Sequence, residues 1–457
     1  MSGPKIVRVV TREERVATCS TLIAKLDAAV TALKASCTRY GDTDGLAIAS
    51  SNERRTEIIG LIQQDNFDMA EVRARQEIVF IAASRDDVID RAVRAATAAR
   101  EQASRRRHAA ATLAKELERK MPGKHSDLTT ALKVAAGQSK PADSVDALLS
   151  RAMLALAPDT SPAEVSDTQR AIATSLQTPK NEAPAPEIRW SFPQVQDKRL
   201  AALQQQLSQI DILSGTDAAA KFTERLSQLE LEAEGPTRNM KLDGLVLDVA
   251  SKVEALRRED DALNSAGPLA AELGIWTNSE ALNALRLGLT DAIARRDIAK
   301  IMSLATQANE ALEQARQQAA AAARREAILS GLATLGYQVN ESMSTSWIQD
   351  GRVVLKKSDH DQHGIELASA ADAQRLQVRA VAFSAMLTPA SNLAAETAWC
   401  GDFGKLQKRL AQQAGELAIE WSKPVGAVPL KVVQAPAPAT LRAEEPAASW
   451  PRMRELR

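Results

Sequence analysis

Asp359, His360, Asp361 and His363 set imidazoles beside carboxylates in one short stretch. Groups of that kind can hold zinc or pass a proton between acid and base. Their setting points elsewhere, because a strand-to-strand turn is required there and Asp, His and Gly364 are ordinary turn residues. Nearby, Trp399, Cys400, Gly401 and Asp402 place a thiol close to a carboxylate. A cysteine nucleophile also needs a base, and the nearest histidines in sequence are those of the turn. The expectation is that Trp399 and Cys400 pack against a sheet. Arg105, Arg106, Arg107 and His108, with Arg94 and Arg100 earlier on the same helix, carry enough charge to grip phosphate. Glu101 and Glu116 interrupt that charge and no aromatic is present to stack bases, so a solvated face or an acidic protein partner is the stronger expectation.

The phosphate-binding and nucleophile motifs with a known mechanism are missing. There is no G-x-x-x-x-G-K-[ST], no G-x-G-x-x-G after a strand, no G-x-S-x-G, no H-E-x-x-H and no paired C-x-x-C. No catalytic residue, cofactor or metal is therefore assigned. At the carboxyl end, Trp450, Met453 and Leu456 fall three apart among arginines after a proline- and alanine-rich stretch. Such a tether can fold into a partner's groove.

The elements that would position these groups are mostly helices. From Val16 apolar residues recur at alternating spacings of three and four: Val16, Cys19, Ile23, Leu26, Val30, Leu33, Cys37, Tyr40. That is a coiled-coil seam. Alanine and leucine dominate a 45% apolar chain with only 3% aromatics, a mixture suited to narrow helix seams rather than a thick globular centre. The 58 basic residues equal the 58 acidic ones, so no global field draws the chain to a polyanion or an anionic membrane. Three cysteines cannot make a disulfide framework, and Cys19 and Cys37 occupy seam positions. With no signal-like amino terminus and no window near the about 20 apolar residues of a membrane span, the cytoplasm is the expected compartment.

Read in order, Ile6 to Val10 is a short β-branched strand and Thr11 with Glu14 a capping box for a helix ending at Gly41. A second helical stretch runs from about Glu53 to Met121, with an interruption near Asp65 to Phe67, and folds back on the first as a hairpin. Short helices follow from His125, then a proline-rich linker at 179–193 holding Trp190 and Phe192. Seams return at Leu203, Leu207, Ile210; at Phe222, Leu226, Leu229; and at Val246, Val249, Val253, Leu256. Thr277 and Glu280 read as a second capping box, opening one long helix that carries Ile298, Ile301 and Leu312 and ends at Gly336.

After Tyr337 the period becomes two. Ser344 to Ile348 and Arg352 to Lys356 read as a hairpin about Asp350-Gly351, with further strands at Gly364–Ala368, Arg375–Phe383 and Leu417–Trp421. A helix from Asn392 to Gln413 would cover the sheet with Leu393, Trp399, Phe403, Leu406 and Leu410.

The expected fold is mainly α: long antiparallel helical hairpins and coiled-coil bundles, then a small C-terminal α+β domain and a disordered tail. Its divisions are 1–178, linker 179–193, 194–335, 336–434 and 435–457. The function this suits is a non-catalytic bacterial scaffold or adaptor. It would self-associate or bind partner proteins through the seam residues Val16, Ile23, Leu26, Val30, Leu33, Ile298, Ile301 and Leu312. The tail residues Trp450, Met453 and Leu456 offer a second docking point. One alternative is a DNA-organising subunit using Arg105, Arg106 and Arg107. Another is an enzyme using His360, His363, Cys400 or Asp402.

Overall fold

The computed structural model describes residues 3–41, 45–137, 145–157, 197–232, 234–340, 342–358, 360–370 and 372–435. The expected linker and the tail residues Trp450, Met453 and Leu456 lie outside them. Two compact units are present, Met1–Asp86 with Asp261–Arg457, and Asp87–Asp260.

In the first unit, strand β1 (Lys5–Val10) passes into helix α1 (Arg12–Tyr40) through a single residue. Thr11 is that residue. Its hydroxyl accepts the Glu14 amide at 3.3 Å while its own amide donates to Glu14 Oε2 at 2.9 Å, the expected capping box. Gly41, at φ 69, closes the helix. Helix α2 (Leu46–Gln63) starts earlier than the expected Glu53. The expected interruption falls at Asp65, φ 56, before α3 (Phe67–Lys120).

The α1 seam is filled from within the chain. Cys19, Ile23, Leu26, Val30 and Leu33 are buried and Val16 is half-buried. Asp27 on the flank of α1 accepts both arms of the Arg55 fork from α2, at 2.5 and 2.9 Å. Lys25 reaches the buried Glu272 at 3.0 Å, where Arg316 also binds. Among the described residues α1 alone is long and apolar enough to cross a membrane, which corrects the expectation that no window comes near. Its mid-helix charges nevertheless have partners on neighbouring helices, as in a core helix.

The long helix expected from Thr277 is two helices, α9 (Glu280–Arg295) and α10 (Ile298–Thr334), preceded by α8 (Pro236–Leu273). Arg296 breaks it at φ 54, and Asp297 caps α10 by accepting the Lys300 amide at 3.1 Å. Ser279, not Thr277, caps α9, accepting the Leu282 amide at 3.3 Å, because the Thr277 amide is turned onto the Ile275 carbonyl. The break turns the seam back on itself: Ile301 and Leu312 are buried with Leu282 and Leu289 of α9 and Leu273 of α8, with the half-buried Ile298 packed at the margin.

The expected strand at Ser344–Ile348 is a helix, α11 (Ser342–Asp350). Met343 and Trp347, four apart, are both buried, and the Trp347 indole donates to Ser369 Oγ at 2.9 Å. A helical period was hidden among serines and a threonine. Gly351, φ 66, therefore joins a helix to a strand.

The sheet comprises β1, β2 (Arg352–Lys357), β3 (His360–Ser369), β4 (Arg375–Ala382), β5 (Glu416–Ser422) and β6 (Lys431–Val432). Its order is β2-β3-β4-β1-β5, antiparallel throughout, with β6 running parallel beside the end of β4. Strand β1, expected with the first helix, sits between β4 and β5: Val7 lies opposite Leu376 on one side and Ile419 on the other. Helix α12 (Pro389–Gln412) covers one face with Trp399, Phe403, Leu406 and Leu410, whereas the expected Leu393 is exposed. The end of α10 enters the same core through Ile328, Leu329 and Leu332. A Cβ at Gly331 would meet the tip of the Leu406 side chain, which would have to shift to admit it.

Among the described residues of the second unit there are two cores. Leu203, Leu207 and Ile210 of α6 (Lys198–Ser214) pack with Leu226 and Leu229 of α7 (Thr216–Leu231) and Val249, Val253 and Leu256 of α8, following the expected rhythm. Ala110, Ala114 and Leu117 of α3 pack with Leu128 and Leu132 of α4 (Ser126–Gly137) and Ala152 of α5 (Val145–Leu156).

Because Leu26 and Leu33 are buried within the chain, exchanging both for Asp lowers Tm and helical circular dichroism at every protein concentration; Leu26→Ala alone costs about 2–5 kcal/mol. A variant that keeps its Tm and merely changes mass in solution would contradict the internal seam.

Candidate functional site

The fold brings His363, Trp399 and Asp402 to one chamber and leaves Asp361 outside its wall. Asp359 lies outside the described residues, and His360 opens β3 opposite Lys357 instead of forming a turn. Asp361 is exposed and paired with Lys356 at 2.5 Å, which holds its carboxyl below the usual range. His363 is also in β3, its Nε2 3.0 Å from Asn392 Oδ1. Among the described residues no group of three or more His, Cys, Asp or Glu side chains could hold a metal. Cys19, Cys37 and Cys400 carry no disulfide. Burial pushes the Cys19 thiol up to about 12, with Glu71 adding to it, the environment of a packed seam residue.

The arginines resolve differently. Arg107 pairs with the buried end of Glu230 at 3.2 Å, where Ser104 Oγ also donates at 3.2 Å, and Arg106 pairs with Asp146. Arg100 binds Asp211 and donates to Thr223 Oγ1 at 3.1 Å. Arg105 is exposed. Most of this basic knot is thus employed in joining α3 to α5, α6 and α7 inside the second unit.

Buried polar chemistry is concentrated between α12 and the sheet. Asp402, 4% exposed, accepts Lys357 Nζ at 2.6 Å and the Tyr337 hydroxyl at 3.3 Å on Oδ2, and Lys405 at 3.2 Å on Oδ1. Burial pushes its carboxyl up, but the hydrogen bonds from Lys357 and Lys405 outweigh that and hold it below the usual range. Tyr337 is driven well above its ordinary value by burial and then by the Asp402 charge. Strand alternation makes Lys357 and His363 available to this region, and helical spacing brings Trp399 and Asp402 to the same side of α12. Trp399 packs edge-on to Tyr337 and Phe403, and its buried indole N–H has no acceptor.

On β1, Lys5 is 1% exposed and shares the inward face with Val7 and Val9. Its ammonium lies 5.2 Å from the Phe403 ring centroid and has no hydrogen-bond partner. Burial pushes it down from the ordinary lysine range, while Cys400 and Glu396 pull it partly back. Sequence reading missed Lys5, although a lysine in register with two core valines is a visible signal.

A third feature was also missed. Helix α3 presents Met69, Val72 and Val79 at alternating three- and four-residue spacing through Gln76, and these apolar residues are 45–69% exposed. Phe80 flanks them, its ring carrying the Arg54 guanidinium at 4.6 Å. The opposite stripe, Phe67, Ala70, Ala74 and Ile81, is buried. No protein-family model, curated protein or solved structure matches the chain.

Two outcomes follow from the buried charges. A depressed carboxyl stabilises the fold fully above about pH 4, and that contribution vanishes as pH falls through the depressed value. Asp402→Asn therefore costs about 3 kcal/mol at neutral pH by leaving Lys357 unpaired, and clearly less at about pH 2; an equal loss at both would be inconsistent with the pairing. A depressed ammonium acts oppositely: its penalty is present at neutral pH and disappears as pH rises toward about 10.4. Lys5→Met raises Tm by a few degrees at pH 7, with a shrinking gain in alkaline buffer. A lowered Tm at pH 7 would show that the amine has an energetic partner.

Proposed function

We propose that the chain is a non-catalytic, cytoplasmic protein-binding scaffold that takes up an amphipathic helix of a partner along the exposed stripe of α3. The observation that carries this reading is the contrast between the two faces of one helix. The stripe through Ala70 and Ala74 is used internally, whereas Met69, Val72 and Val79 keep the spacing of a helix seam and face water. The seam first expected to bind partners, from Ile23 to Leu33, is buried within the chain and leaves no surface to offer. A partner helix placing its own leucines along α3 would remove that apolar area from water at roughly 25 cal/mol per Å². Asp68, Arg73 and Arg75, near the stripe in sequence, are paired within the chain with Arg15, Glu57 and Glu71. Unbridged thiols fit a reducing compartment. A nucleic-acid role has less support, since Arg106 and Arg107 are already paired with carboxylates.

The test is Val72→Lys combined with Val79→Lys. Both positions are exposed, so helical content and Tm stay within about 2 °C of the parent. The full-length parent captured from its own cells brings down a protein in stoichiometric amount, and the variant does not. An unchanged captured set, or a parent that captures nothing stoichiometric, overturns the reading.

A further inference from the structure

The space between α12 and strands β2 and β3 forms a chamber of about 180 Å³. Its wall is chemically divided. Ala394, Ala395 and Ala398 give a smooth apolar side along α12, and the Trp399 ring extends it inward. Opposite stand Lys357 and His363. We infer that this chamber binds a small apolar monocarboxylate, of benzoate size, with its carboxylate toward Lys357 and its body against the alanines and the Trp399 side chain.

Three observations carry the assignment. The first is hydrogen-bond arithmetic. Asp402 uses one of the three donors of Lys357, at 2.6 Å, leaving two on the chamber wall. A ligand that brings acceptors meets these two donors. The second is charge. Asp402 is the acidic group of the wall, and it faces both Lys357 and Lys405, so the carboxylate is already over-neutralised before a ligand arrives. An anion is favoured over a cation. The third is size and shape. A cavity of about 150 Å³ lined by apolar side chains accommodates benzene, so a six-membered ring or a short branched chain is the scale that fits. Helix α12 supplies alanine at three of its chamber positions, and larger residues there would close it.

This site is independent of the α3 stripe and stands whether or not that stripe binds a partner. The experiment uses the full-length chain with the indole N–H signals recorded by nitrogen-edited NMR, and the Trp399 signal assigned by its loss in Trp399→Phe. Benzoate is titrated, with benzyl alcohol as the uncharged probe of equal size. The expected result is a saturable shift of the Trp399 indole signal by benzoate, and binding weaker by about tenfold or more for benzyl alcohol. Ala395→Leu, which adds apolar bulk inside the chamber without altering charge, weakens benzoate by a similar factor while the other indole signals keep their positions. A Trp399 signal that benzoate leaves unmoved, or equal binding of the two probes, overturns the proposal; so does undiminished binding by a folded Ala395→Leu chain. If that variant fails to fold, the comparison of the two probes on the parent chain decides alone.

Discussion

Arg324 holds the first unit together at the point where sheet and helices meet. From α10 its guanidinium reaches Glu14, 3.1 Å from Oε2, and donates to the Asp372 carbonyl at 2.7 Å in the connection between β3 and β4. Glu14 is at the same time the carboxylate of the Thr11 capping box. One ion pair therefore fixes the start of α1, the middle of α10 and a sheet loop. Because a single residue separates β1 from α1, the direction of the first long helix is set by a strand hydrogen-bonded on both sides. Arg324 and Glu14 are largely sheltered from solvent, so the pairing is screened less than a surface bridge and loses more when one partner is removed.

That rooting explains why the seams turn inward. A helix whose first turn is clamped to a sheet cannot reorient to meet another chain, and its apolar stripe must be covered by whatever lies beside it. Here α2 lies beside it, with Arg55 forked onto Asp27, and α10 approaches through Arg316 at the Lys25–Glu272 pair. Glu272 is almost wholly buried, and two cations from different helices compensate it. Buried ionic groups of this type add little net stability but penalise any register in which they lose their partners. The apolar seam supplies adhesion, and the polar pairs specify which helix adheres to which.

Helical periodicity was legible wherever a seam ran uninterrupted: the α1 cap at Thr11, its end at Gly41 and the rhythm of α6 to α8 all follow from residue types. The failures share a physical cause. A heptad pattern continues across a tight helical hairpin, so Arg296 and Asp297 divided α9 from α10 without disturbing the alternation of apolar residues. Met343 and Trp347 carry a helical period that their small polar neighbours disguised. Strand β1 was recognisable as a strand, but its place between β4 and β5 depends on pairing across most of the chain, which local pattern does not encode. His363 and Asp402 were noticed as chemical residues, yet their partners Asn392, Lys357 and Tyr337 are tertiary neighbours. Lys5 and the outer face of α3 were readable in principle, since each breaks a local rule: a charge in register with core valines, and apolar residues on both sides of one helix.

Those two rule-breaking features differ in what they imply. An exposed apolar stripe lowers solubility without helping the fold, and a buried unpaired donor lowers stability without helping packing. Selection for stability alone would replace Lys5 with methionine and the tryptophan at 399 with phenylalanine, both of which keep apolar bulk and discard the unsatisfied group. Both lie beneath α12, in a core otherwise built largely from aliphatic and aromatic side chains. The helical bundles, by contrast, pair most of their buried charges: Glu272 with Lys25 and Arg316, Glu230 with Arg107, Asp211 with Arg100. In the helical bundles the open polar atoms belong mostly to side chains already held by an ion pair, as with Arg54 and Glu77, Arg107, Asp211 and Glu272, whereas the Lys5 ammonium and the Trp399 N–H beneath α12 have no such partner, so their cost is not offset by a charge across the core.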